Sequence, residues 1–286
     1  MISDITLGQY FPGTSPIHRL DPRTKIILTT LFIVAVFIAN NPVAFVLLAI
    51  ATFSLILISR IPISVVMKAV KPIVFIVIFT AFLNLFMTVG GGSPLFELGF
   101  IRIYKEGIIK SVFMSLRVIL LIIGTCVLLT YTTSPIALTD GIESLLSPLK
   151  KLKLPVHVFA MMMSIALRFI PTLIEETEKI INAQKSRGAD FESGNIIKRA
   201  KALIPILIPL FVSAFKRAEE LATAMECRCY RGDYNRTKLN KLEYKSSDFI
   251  SMALFTAFLI GMILLARLPY LCGYSSPLYD IIFYKI

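Results

Sequence analysis

The sequence predicts an all-α membrane protein with about five transmembrane helices plus a cytoplasmic domain of long crossed amphipathic helices. Three observations predict it. Mean hydropathy is +0.77, with 56% hydrophobic and only 17% charged residues, which takes the chain out of the soluble globular class. Apolar stretches lie at 26–39, 43–59, 73–89, 108–131 and 249–266, and a span needs about 20 such residues. Between the fourth and fifth stretches, residues 134–248 hold 18 of the 30 basic and 13 of the 18 acidic residues.

The basic residues set the orientation. Arg19, Arg23 and Lys25 precede the first stretch, and Arg60, Lys68 and Lys71 follow the second; Asn40-Asn41-Pro42 divides the two. Flanks of one sign put both ends in the cytoplasm, so 26–59 is a hairpin that crosses out and back. The third stretch then leads out, "VGGGSPLFELGF" at 89–100 is an external turn, and the fourth returns to Lys150, Lys151 and Lys153. The expected organisation is a cytoplasmic N-terminal segment at 1–24 and four transmembrane helices in 25–131. A cytoplasmic domain at 132–247, a last transmembrane helix at 248–266 and a C-terminal tail at 267–286 follow. The opening "MISDITLGQYFPG" is polar and turn-rich, unlike a cleavable signal peptide.

Within the charged region, apolar or small residues recur at Phe159, Met163, Ala166, Ile170, Leu173 and Thr177, and again at Ile204, Ile208, Phe211, Phe215, Ala218, Ala222 and Met225. Steps of three and four are one face of a helix. The apolar cores "VHVFAMMMSIALRFI" and "LIPILIPLFVSAF" are shorter than a span. Two amphipathic helices over 156–187 and 203–229 follow, each covering about 40 Å. They cross, because each has one apolar seam to bury. A shift of 41 residues superimposes Arg187 on Arg228, Ala183 on Ala224 and Glu178 on Glu219. Both arginines fall at a helix end, the first just before Gly188, a common helix stop.

The motifs exclude several classes. The net charge of +12 is positive-inside topology, and no aromatic-basic platform for nucleic acid is present. There is no GxxxxGK[ST] phosphate loop and no HExxH. His18 and His157 are isolated and read as structural, and Cys126, Cys227, Cys229 and Cys272 as small packing residues rather than a disulfide or metal set. Arg117 stands inside an apolar stretch, where an ionisable group needs a partner or an interface. A stand-alone secondary transporter expects inverted repeats and polar groups at midplane, whereas the repeat here lies in the charged region.

The phrases "GQYFPGTSPIHRLDPRTK" at 8–25, the stretch 134–188 ending in "NAQKSRG", and "AMECRCYRG" at 224–232 resemble, in this order, signatures of the T component of energy-coupling factor transporters, the CbiQ family. The resemblance runs from about residue 5 to 266. It implies a non-catalytic subunit, in a bacterial or archaeal cell membrane, that joins two ABC-type ATPases to a substrate-binding S component. ATP and Mg²⁺ belong on the ATPases, this chain binds no cofactor or metal, and the cargo is a vitamin or a transition-metal ion. Each ATPase receives one helix tip whose arginine enters a groove. The family triplet is Ala-Arg-Gly; here it reads Ser186-Arg187-Gly188 and Cys227-Arg228-Cys229. Phe159, Met162, Met163, Phe211 and Phe215 form either an adaptable platform for the S component or internal packing between the two helices.

Overall fold

The computed structural model describes residues 10–88, 96–98, 101–152, 155–189, 191, 195–230, 232 and 242–272. Their regular structure is helical apart from one antiparallel hairpin, β1 (Phe96–Leu98) and β2 (Ile101–Ile103), with Phe96 opposite Ile103. The hairpin overlaps the end of the expected turn at 89–100 and runs on to Ile103; residues 89–95 and 99–100 lie outside the described residues. The chain divides into two compact units: a core unit of Gln9–Ser134 and the chain from Leu242 onward, and an arm unit over Pro135–Lys241.

In the core unit, α1 (Pro22–Ile38) starts where Asp21 accepts the Arg23 N–H at 2.9 Å, with Pro22 supplying a pre-set φ and no donor to satisfy. Pro42 opens α2 (Pro42–Ser59) in the same way, and Arg60 closes it with a left-handed φ of 55°. A short α3 (Ile63–Val70) passes through a tight turn at Lys71–Ile73 into α4 (Val74–Met87). Helix α5 (Lys105–Thr125) ends in one π-helical turn, Cys126–Thr130, and α9 (Ser246–Cys272) completes the unit.

The apolar core forms around α1. Leu28, Phe32, Ala35 and Val36 are buried on it, and Phe32, Ala35 and Val36 join a cluster with Leu48, Leu120, Leu128 and Met262 from the other helices. The approach of α1 to α5 depends on Gly124, because a Cβ there would stand 2.1 Å from the Phe32 ring. Gly124→Ala should therefore cost about 1–3 kcal/mol through overpacking, read as a lower thermal midpoint in detergent. Phe32→Leu added to it should recover part of the loss; an additive loss would mean that the two positions do not meet.

Arg117 finds its partner at the turn between α1 and α2. Its Nη2 donates to the Ala39 carbonyl at 2.6 Å and to Asn40 Oδ1 at 3.2 Å, and its guanidinium lies 5.5 Å from the Phe45 ring centre. An arginine in an apolar stretch thus caps the carbonyl end of α1.

Among the described residues, five helical segments are long and apolar enough to cross a membrane: Pro42–Ser59, Ile63–Met87, Gly107–Thr130, Val156–Ser186 and Ser246–Ala266. The third expected stretch starts at Ile63 rather than 73, so that Lys68 and Lys71 lie within the segment instead of before it. The number agrees with the sequence reading, but the set differs at two places. The stretch 26–39 becomes a 17-residue helix, about 26 Å long against a hydrocarbon core of about 30 Å. Val156–Ser186 qualifies because the helix built on its apolar core is twice that core's length and carries only Arg168 as a charge as far as Leu173. Helix α9 runs past the expected end at 266 to Cys272; the rest of the tail lies outside the described residues.

Candidate functional site

The arm unit begins with α6 (Pro135–Leu145) and is dominated by α7 (Val156–Ser186) and α8 (Ile196–Cys227). The second starts well before the expected residue 203. His157 fastens the root of α7 to α6, its Nδ1 lying 2.9 Å from the buried Glu143 carboxylate.

The two long helices meet at Glu176. Arg217 Nη2 donates to Glu176 Oε2 at 2.8 Å, and the Ser213 hydroxyl donates to the other oxygen. Ile165, Phe169 and Leu173 from α7 share an apolar groove with Ala218, Leu221 and Met225 from α8. Since the groove joins residues before Glu176 to residues after Arg217, the helices run in opposite senses across their contact. The tips therefore lie at opposite ends of the pair, each arm rising about 16 Å from the contact at 1.5 Å per residue. Both arms have the same length in residues, Glu176 to Arg187 and Arg217 to Arg228.

On α7 the seam lies one step around the helix from the predicted face, on Ile165 and Phe169 rather than Ala166 and Ile170. The apolar band is wider than one seam, so its other edge stays open. Phe159, Met162 and Met163 are exposed, as are Phe211 and Phe215, from 48% for Met162 to 71% for Phe215. None of these five lines the groove between the helices.

The tips share one backbone construction. At the end of α7 the Arg187 N–H donates to the Gln184 carbonyl at 3.1 Å, Gly188 N–H to Lys185 at 3.0 Å, and Ala189 N–H back to Gln184 at 3.0 Å. At the end of α8, Arg228, Cys229 and Tyr230 repeat the pattern onto Met225, Glu226 and Met225, at 3.1, 2.8 and 3.0 Å. Gly188 has φ +86° and Cys229 φ 56°. Both ends are Schellman motifs, which reverse the chain through one left-handed residue. Cys229, at the position matched to Gly188 by the order of the tip, takes the left-handed conformation that favours glycine, at a steric cost of about 1–2 kcal/mol for an L residue.

Backbone N–H groups already bind the Gln184 and Lys185 carbonyls at one tip and the Met225 and Glu226 carbonyls at the other, so neither arginine is needed as a cap there. Arg187 and Arg228 are both exposed, and so are Ser186, Gly188, Cys227 and Cys229 around them. Among the described residues neither guanidinium has a hydrogen bond or ion pair. Each offers a planar fork of five donors, flanked by small residues, able to pair bidentately with a carboxylate. Arg231, the next basic residue after Arg228, lies outside the described residues.

Cys229→Gly should relieve the left-handed strain and slow amide exchange at Cys229 and Tyr230 by about two- to fivefold. Gly188→Ala should speed exchange at Gly188 and Ala189 for the converse reason. Faster exchange in the glycine variant would refute the strain.

The sequence reading missed the Glu176–Arg217 pair, although the shift of 41 residues that aligns the two arginines also aligns these positions. The left-handed Cys229 had no signal in its residue type. No cluster of three or more metal-ligating side chains occurs among the described residues.

Residues 13–239 match the family described as cobalt transport protein, CbiQ. An energy-coupling factor transporter transmembrane protein of Ruminiclostridium cellulolyticum is 54% identical, over 93% of this chain and 98% of its own length. Proteins of the same description from Clostridium kluyveri and Bacillus subtilis are each 52% identical, over 94% of this chain and 98% of theirs.

Proposed function

This chain belongs to the CbiQ family of energy-coupling factor transporter transmembrane proteins, and from that premise we propose that it is the non-catalytic subunit that couples ATP hydrolysis to import. In this reading Arg187 and Arg228 each dock on one of two ABC-type ATPases, which carry ATP and Mg²⁺, and Pro135–Lys241 is the cytoplasmic coupling domain. The core unit, in the cell membrane, takes up the resulting motion. The observation that carries the proposal is the pair of matched tips: two exposed arginines, without a partner among the described residues, on the same reversal of chain at the ends of equal arms. Two equivalent docking points suit two equivalent partners.

The exposed apolar edge of the arms, Phe159, Met162 and Met163 with Phe211 and Phe215, supports a contact with a membrane-embedded S component that binds the cargo, a vitamin or a transition-metal ion. Such a contact gives the open edge of a band wider than its seam something to cover it, and methionine adapts to partners of different shape.

Coexpression with candidate ATPases and S components, extraction in mild detergent and mass spectrometry of the copurified proteins tests the assembly. Recovery of this chain together with two ATPase subunits and one S component is expected. Recovery of the chain alone, with uptake driven by an ion gradient, would replace this reading with a stand-alone secondary transporter.

A further inference from the structure

The chain leaves the core unit after Ser134 and re-enters it at Leu242. Both passages are held by the first turn of α1. Lys25, only 2% exposed, donates from Nζ to the Thr132 carbonyl at 2.7 Å, just before the exit, and to the His18 carbonyl at 3.2 Å. On the return, Arg23 Nη2 donates to the Leu242 carbonyl, and its guanidinium stands 4.4 Å from the Tyr244 ring centre. Asp248, with no exposed surface, accepts the Asp21 N–H at 2.9 Å and the Lys245 N–H at 2.7 Å. Asp21 in turn binds the Arg23 guanidinium, with Nε at 3.2 Å and Nη2 at 3.4 Å.

Burying two carboxylates and an ammonium is expensive unless each has partners. Here the charges compensate one another, and most of their bonds go to main chain. A cation bound to a carbonyl fixes the path of the chain there, whichever side chain stands at that position. The fully buried apolar side chains of α1 start at Leu28, one turn beyond the cluster.

We propose that Asp21, Arg23, Lys25 and Asp248 form a latch that ties both connecting passages to the start of α1, so that movement of the arm unit arrives as displacement of α1 instead of being absorbed in slack chain. The latch rests on the proposed role in ATP-driven import. Its residues are positioning residues that touch neither ATP nor cargo.

The test uses the full complex in proteoliposomes, with Arg23→Ala and Tyr244→Ala made separately. ATP hydrolysis is measured beside import of a tritiated vitamin or radioactive cobalt, whichever the unaltered complex imports. Hydrolysis should stay near that of the unaltered complex, while cargo imported per ATP falls about three- to tenfold. A residue that served folding alone would lower both through the amount of intact complex and leave the ratio unchanged, which would overturn the latch. Should the variants fail to assemble, hydrogen exchange of the unaltered complex during turnover decides. The Asp21 and Lys245 amides, both donors to Asp248, must stay protected; exchange at open-chain rates would overturn the proposal. Import that needs no ATPase would refute the parent reading, whereas ATP-dependent import at an unchanged ratio removes the latch alone.

Discussion

Replacing Arg187 and Arg228 together with alanine should abolish ATP-driven uptake while leaving a chain that inserts and folds normally. Folding is spared because neither side chain has a partner among the described residues and backbone N–H groups bind the Gln184, Lys185, Met225 and Glu226 carbonyls at the tips. Docking is not spared. A guanidinium buried in an acidic or carbonyl-lined groove leaves that groove unpaired when truncated, at roughly 2–5 kcal/mol for each tip. Each single variant should weaken retention of the ATPases, and Arg→Glu should be worse than Arg→Ala because it adds repulsion. Lys185 is exposed in the same turn as Arg187, so Lys185→Ala at matched expression reports the effect of losing a positive charge near the tip without losing the fork. Copurification of the ATPases and uptake are the two readouts. Near-normal uptake by a well-inserted double variant would sink the docking mechanism.

Asp248→Ala should be the most damaging single change to the fold of the core unit. It strands the N–H groups of Asp21 and Lys245 and removes a carboxylate facing buried Lys25. Asp21 and two carbonyls still face the ammonium, so the loss stays at or below the roughly 3–5 kcal/mol of a buried pair broken outright. Asp248→Asn keeps the shape and one acceptor and should lose less. Adding Lys25→Met to Asp248→Ala removes the ammonium that lost one of its two carboxylates, so the double variant should be more stable than the sum of the two single losses implies. Unfolding in detergent, followed by size-exclusion of the surviving protein, measures all of these. Full stability of Asp248→Ala would show that water reaches the cluster and replaces the carboxylate.

The helices were legible in the sequence because their causes are local. Asn40-Asn41-Pro42 parts the first two apolar stretches, Gly188 stops α7, and a shift of 41 residues put the two arginines in register; the start of α1 at Asp21-Pro22 went unread. What stayed hidden depends on residues far apart in the chain. Asp21 meets Asp248, Arg117 meets the turn after α1, and Lys25 meets Thr132; no periodicity encodes such pairings. The seam of α7 was missed for another reason. Its apolar band spans more than one contact, and composition cannot say which edge faces α8. Cys229 was illegible because a left-handed conformation at a non-glycine is imposed by its surroundings rather than by the residue.

The crossing of α7 and α8 brings together two positions that the repeat treats as equivalent, 176 and 217. Were the arms two copies of one chain about a true two-fold axis, the residue on the axis would be forced to face its own duplicate. Glutamate would confront glutamate, or arginine would confront arginine, and the axis would repel itself. Fusing both arms into one polypeptide removes that constraint. The chain uses the freedom at the pivot, where Glu meets Arg, and keeps likeness at the tips, where Arg187 answers Arg228. Near-symmetry of this kind lets one chain present two like ends without bearing a two-fold axis's penalty at its own centre.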